Sequence, residues 1–448
     1  MNRTRALKIL RERLAGLPLI DAHTHLVGGR LGAGGLYDVL LYHMAVSELY
    51  SAGCPSGTRL TQFPGWPGET ESRARIEEAL EYLPRVRATS TSWMVRTILQ
   101  DLYGWDEAVS SDNWRILDAR IRERSGDRQW HREILRRAGV EAASTELARR
   151  GAGLDDDILA YSLEWAFFTR SQWGEYDTAL YELERCWGRT PESPAQVGSG
   201  PRPSAERAIR SLEDVHAAIT WYVDRIPAEH IVSVATHLST DIDYREVTPE
   251  DMASALKRRP EAGPLERDMY ASYINERFLD ELERSYGGKI VFQFSLGAEP
   301  LPFETASRIS QRTIAQLAAM IARHPGLRFQ CFVSSAHANQ SLCTMARELP
   351  HLSLAGYWWH NFFPSIIQRV MAERLDMLPL NRQVGFFSDA YCAEWVYGKA
   401  MLVREMMASV LAERVELGQF DIEEATAVAK EVLYDTARDL LHIRHGKR

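Results

Sequence analysis

Residues 19–26 read Leu19-Ile20-Asp21-Ala22-His23-Thr24-His25-Leu26, preceded by Pro18 and followed by the glycine-rich run Gly28-Gly29-Arg30-Leu31-Gly32-Ala33-Gly34-Gly35. Leu19 and Ile20 open a short buried strand, and alternation along a strand sends residues two apart to the same side. His23 and His25 therefore leave the end of the strand in parallel, as two neutral nitrogen ligands of one divalent ion must. An apolar strand that ends in such a pair, near the start of a long chain, predicts the first strand of a parallel α/β barrel, whose chemistry gathers at the C-terminal strand ends.

Seven further apolar runs continue the pattern: Val140–Ser144, Ser162–Phe168, Ile231–His237, Ile290–Leu296, Arg328–Ser334, Leu352–Trp358 and Val384–Ser388. Helical periodicity separates most of them, so the expected fold is a (β/α)8 TIM barrel. At 448 residues the chain has room for two or three domains, and we read 1–448 as one elaborated barrel domain. The interval between the first two strands is too long for one crossover. Residues 55–135 are read as a helical insertion over the barrel mouth, Gly188–Ser204 as an exposed loop, and the glycine run as a mobile loop without the Lys-Ser/Thr of a phosphate cradle.

The net charge of −8, with no long run of one sign, argues against a nucleic-acid surface. Five widely spaced cysteines without a Cys-x-x-Cys exclude a disulfide framework and a zinc ribbon. The first 17 residues lack a signal-peptide core and no apolar run is long enough to span a membrane, so a cytoplasmic protein is expected, as a homo-oligomer.

Several polar residues fall at predicted strand ends: His237 after the fourth, His337 past the sixth, His360 past the seventh, and Asp389 after the eighth in Phe386-Phe387-Ser388-Asp389. His23 and His25, with Asp389 and a donor such as His237 or His337, make a mononuclear site with an open position. The expected ion is zinc, with manganese as the alternative. It would polarise a carbonyl or lower the pKa of water. Asp389 serves as ligand, general base or both, because an unpaired buried carboxylate is costly. His237 and His337 also have a plainer reading as caps on strand ends. His360 could pack on Trp358 and Trp359, and His43 could mark a helix edge in Leu41-Tyr42-His43-Met44.

Four segments resemble the uronate isomerase family of the amidohydrolase superfamily. Asp21-Ala22-His23-Thr24-His25-Leu26 is similar to its metal-binding start. Ala338-Asn339-Gln340-Ser341-Leu342-Cys343-Thr344-Met345-Ala346 is similar to Asn-x-x-Leu-Ala-Thr-Met-Ala, and Gly356-Tyr357-Trp358-Trp359-His360-Asn361 to Trp-Trp-Phe-Asn. Phe387-Ser388-Asp389-Ala390-Tyr391 stands where that family has Thr-Asp-Ser-Arg. The resemblance covers residues 18–57 and 285–442. It implies a (β/α)8 barrel, a divalent metal held by His23, His25 and Asp389, and aldose–ketose isomerisation of a uronate. It further implies that Asp389 moves a hydroxyl proton and that Trp358 or Trp359 faces a sugar-like substrate.

Departures from the pattern bear on the substrate. Ser295 stands in place of a histidine, Pro300 and Tyr391 in place of arginines, and Met44 in place of a tyrosine. Arginine forks are the usual way to hold a carboxylate. Losing two removes roughly 3–6 kcal/mol, at about 1.5–3 each. A less acidic or differently oriented substrate follows, with Ser295 and Tyr391 lining its site and Arg170 as a candidate cation. The leading expectation is a metal-dependent isomerase of a uronate-related sugar, with Asp389 as base and His43 or His360 moving the carbon-bound proton. The alternatives are a hydrolase or lyase of the same superfamily, and a barrel that binds without catalysis.

Overall fold

The computed structural model describes residues 1–55, 68–165, 178–187, 208–238, 243–297, 309–358 and 362–443. Eight strands form one sheet in sequential order: β1 Leu19–Asp21, β2 Val140–Glu146, β3 Leu159–Glu164, β4 Ser233–Leu238, β5 Val291–Leu296, β6 Arg328–Val333, β7 Leu352–Ala355 and β8 Gln383–Val384. Every neighbouring pair is parallel. The sheet curls until its ends meet: Ala22 N donates to Phe386 O (3.3 Å) and Asp389 N to His23 O (3.0 Å). This is a (β/α)8 architecture, and all eight expected strands are present.

Strand boundaries differ from the expected ones where side chains or backbone turn away. β1 ends at Asp21, and β8 is only Gln383–Val384 because Gly385 N donates to Val432 O (2.7 Å). β3 begins three residues earlier than expected. The residue after it, Trp165, is fully buried, donates from Nε1 to Asn275 Oδ1 (2.7 Å) and stacks on Phe278.

Two layers of core hold the barrel. Inside it, Ile20, Ala142, Val291, Phe332, Ala355, Val384 and Phe387 pack together with Tyr434, Ala437, Leu440 and Leu441 of the C-terminal segment. Between Val291 and Phe332 of that cluster lies a hydrogen-bonded level, in which Ser233 Oγ donates to Gln293 Oε1 and Gln293 Nε2 to Gln330 Oε1, both at 2.7 Å. These bonds offset much of the cost of burying the amides, although Gln330 Nε2 is left without a partner among the described residues. The larger core lies between the strands and the outer helices.

Between β1 and β2 lie the helices Leu36–Leu40, His43–Ser51, Glu69–Leu80, Leu83–Val86, Ser90–Tyr103, Trp114–Arg124 and Arg128–Arg137. Ser90–Tyr103 and Arg128–Arg137 pack against the long helix Ala393–Glu416. Gly398 lets Ile98 approach so closely that a Cβ there would stand 2.8 Å from Ile98 Cδ1.

The glycine run is not the mobile loop its composition suggests. Gly28 N donates to Arg149 O (2.8 Å), Gly29 N to Asp155 Oδ2 (2.7 Å), Ala33 N to Glu394 Oε2 (2.9 Å) and Leu36 N to Asp118 Oδ1 (2.9 Å). Its glycines serve close packing instead. A Cβ on Gly32 would lie 2.1 Å from the ring of buried His131. Among the described residues no helix is long and apolar enough to cross a membrane.

Candidate metal centre

The backbone beyond β1 stays extended by bonding alternately to both neighbours. Thr24 N donates to Ser144 O (2.6 Å) on β2, while His25 N donates to Ala390 O (2.8 Å) beyond β8. This alternation keeps His23 and His25 on one side although the strand has formally ended. Their rings meet edge to face with centroids 5.0 Å apart. Opposite them, Asp389 occupies the left-handed region with φ of +53°. That conformation costs a non-glycine residue about 1–3 kcal/mol and persists only where the surroundings enforce it. Here Asp389 N is held by His23 O, and Tyr42 Oη donates to Asp389 O (2.7 Å).

Behind this turn, Lys399 is buried on the long helix. Its ammonium donates to Tyr42 Oη (2.8 Å) and to Ser388 O. Burial pulls the ammonium down to about 8. Asp21 Oδ1 accepts from Ser388 N (2.7 Å), and burial pushes its carboxyl up to about 7. Residues 388–389 are thus fixed from three directions, by β1, by Tyr42 and by Lys399.

His25 Nε2 lies 3.1 Å and His23 Nε2 3.7 Å from Asp389 Oδ1, and donor atoms of the three residues all fall within 4.8 Å of one another. Two donors bound tetrahedrally at about 2 Å would stand roughly 3.3 Å apart, so the set fits an ion such as zinc. Protonation differs between the two imidazoles. Burial, then the neighbouring His25, pushes the His23 imidazole down to about 4, the neutral ligand form. His25 also suffers burial, but the Glu146 and Asp389 carboxylates outweigh it and lift the ring to about 9. His25 Nδ1 sits 2.6 Å from Glu146 Oε1, and the other Glu146 oxygen is 2.6 Å from Arg149 Nε. Despite burial, His25 and Arg149 hold the Glu146 carboxyl well below the usual carboxylate range. A carboxylate on the far nitrogen fixes the tautomer and orientation of a ligating imidazole.

The other predicted residues are distributed more widely. His237 pairs in register with Ser295, and its Nδ1 lies 2.6 Å from Ser295 Oγ. Its ring meets Trp358 edge-on at 5.9 Å, so these three share one side of the mouth. His337 Nδ1 contacts Ser335 Oγ (2.7 Å). Among the described residues, neither His237 nor His337 joins the close donor group of His23, His25 and Asp389. Tyr391 stacks on His25 with centroids 4.6 Å apart. Arg170, Trp359 and His360 lie outside the described residues, as does the side chain of His43 at the start of helix His43–Ser51.

Glu146, Arg149, Tyr42 and Lys399 were not singled out by sequence. Glu146 carried a signal, an acidic residue two past the predicted end of β2. Lys399 had no signal beyond its place in a long helix that also buries Glu394 and Arg404. Arg374, fully buried, links the resembling segments by donating to Asn339 Oδ1 (3.1 Å) and Gly356 O (2.9 Å). Those motifs therefore support the loop after β7 structurally.

No protein-family model matches the chain. A uronate isomerase from Thermotoga neapolitana is 27% identical over 100 residues, which is 22% of this chain and 22% of that protein. The chain thus matches only about a fifth of the length of such curated relatives in sequence. In fold the likeness extends over nearly the whole chain. The structure superposes on the uronate isomerase of Thermotoga maritima with a TM-score of 0.77, 14% identity and 98% of each chain covered. For the glucuronate isomerase of Caulobacter crescentus the values are 0.78, 13%, 99% of this chain and 95% of that one. A Lactobacillus casei chain provisionally named a metal-dependent hydrolase gives 0.60 at 12% identity, with 97% of each covered. The chain has the uronate isomerase fold, with a strongly divergent sequence.

Proposed function

We propose that the protein is a metal-dependent aldose–ketose isomerase of uronate-like sugar acids. The observation that carries this reading is the convergence of His23, His25 and Asp389 at the mouth of a barrel whose fold matches uronate isomerases over nearly its whole length. His23, His25 and Asp389 would hold the divalent ion, which supplies Lewis acidity to a carbonyl and its neighbouring hydroxyl. Asp389 would take the hydroxyl proton, and His43 or His360 would carry a proton between the two adjacent carbons. No oxidant is needed, because one carbon is oxidised as its neighbour is reduced. Trp358, beside His237 and Ser295, would form one wall for the sugar.

The test is incubation of the metal-loaded protein with D-glucuronate and D-galacturonate in deuterated water, followed by NMR. The expected product is the 2-ketose. His23→Ala is expected to lose both metal and turnover, and full activity without metal in that variant refutes the reading. A second reading, a hydrolase, draws on the Lactobacillus casei likeness. Turnover of an amide, ester or lactone with no ketose from either uronate would favour it.

A further inference from the structure

We infer that Arg149 is the residue that receives the carboxylate of an acidic sugar. The inference rests on reading the barrel mouth as a sugar-acid site. Arg149 follows β2 directly in the short turn Leu147–Arg149, and its carbonyl is pinned by Gly28 N (2.8 Å). Its guanidinium lies 5.9 Å from the centroid of Tyr391, whose ring in turn stacks on His25 at 4.6 Å. One aromatic ring therefore separates this cation from a metal-ligating imidazole.

The direction of the fork matters as much as its position. Glu146 Oε2 engages the Nε side at 2.6 Å, and Glu146 is the one carboxylate within ion-pairing distance of Arg149 among the described residues. That contact fixes the plane of the guanidinium and leaves the edge formed by its two terminal nitrogens for a second carboxylate. Two parallel N–H···O bonds are what that edge offers. The side chain is 21% exposed, and its orientation is set by Glu146. Tyr391, flat against His25, cannot supply this charge. Its ring instead lies between the Arg149 guanidinium and the His25 imidazole.

Affinity of the metal-loaded protein for D-glucuronate and for uncharged D-glucose, measured by calorimetry, tests this. Wild type is expected to prefer the uronate. In Arg149→Met that preference should fall roughly 10- to 100-fold. Arg149→Lys keeps the charge beside Glu146 but loses the fork, and should fall between the two, which separates recognition from a folding defect. Equal affinity of wild type for both sugars overturns the inference, as does an undiminished preference in Arg149→Met. An Arg149-dependent preference without formation of any ketose would leave the inference standing and sink the isomerase reading alone.

Discussion

Glu146→Gln is the most informative single perturbation of the centre. Glu146 touches no proposed metal position. It acts through His25 Nδ1, 2.6 Å away, and also pairs with Arg149 Nε. The size of its influence follows from His25, which rises from 6.5 to about 9 under the combined pull of Glu146 and Asp389, against the opposing effect of burial. That rise amounts to a few kcal/mol in favour of a positive charge on the ring. Glutamine is isosteric and can still accept from Nδ1–H, so the geometry survives while the charge is lost. Glu146 is the foremost of the raising groups, and its loss is expected to cost the ion roughly 2 kcal/mol. That amounts to a 10- to 100-fold weaker metal affinity, the range usual for such supporting carboxylates. Zinc titration against a fluorescent chelator at pH 7.5 measures this, with circular dichroism to establish that the variant is folded. A folded Glu146→Gln protein that binds zinc within twofold of wild type refutes the reasoning.

Two further predictions concern the scaffold. Gly32→Ala places a Cβ 2.1 Å from the ring of His131, which is 2% exposed and cannot swing aside; the expected loss is about 2–3 kcal/mol in urea unfolding, and a change below about 0.5 kcal/mol contradicts it. Glu276 is held at about 2, down from 4.5, because Arg323, His324 and Tyr244 together outweigh the cost of burial. A carboxyl depressed in the folded state contributes stability above pH 4.5 and loses it as pH falls towards 2. Glu276→Gln should therefore cost about 2 kcal/mol at pH 7, allowing for its 26% exposed side chain, and the gap to wild type should close on acidification. A gap that is constant from pH 7 to 3 is the contrary result.

The fold was legible because each strand is a short apolar run closed by polar residues, and helices fill the intervals. Strand ends were less so. β8 stops at Val384 because Gly385 turns its backbone to Val432, a contact across 47 residues of sequence that no local pattern announces. In the centre, the His23–His25 alternation and the acidic residue after the last apolar run were both readable. Glu146 showed only an acidic position past β2, and Tyr42 and Lys399 showed nothing, since Tyr42 acts on Asp389 across 347 residues and Lys399 on Tyr42 across 357. The glycine run misled for the opposite reason. Composition suggested freedom, whereas the glycines let a tied loop lie against Arg150 and His131.

Anomalous diffraction at the zinc absorption edge, from crystals grown with stoichiometric zinc, is the most direct test of whether one ion organises this barrel mouth. A single strong peak about 2 Å from donor atoms of His23, His25 and Asp389 is the predicted result. A peak seated instead at His237 or His337, or none at all, contradicts it.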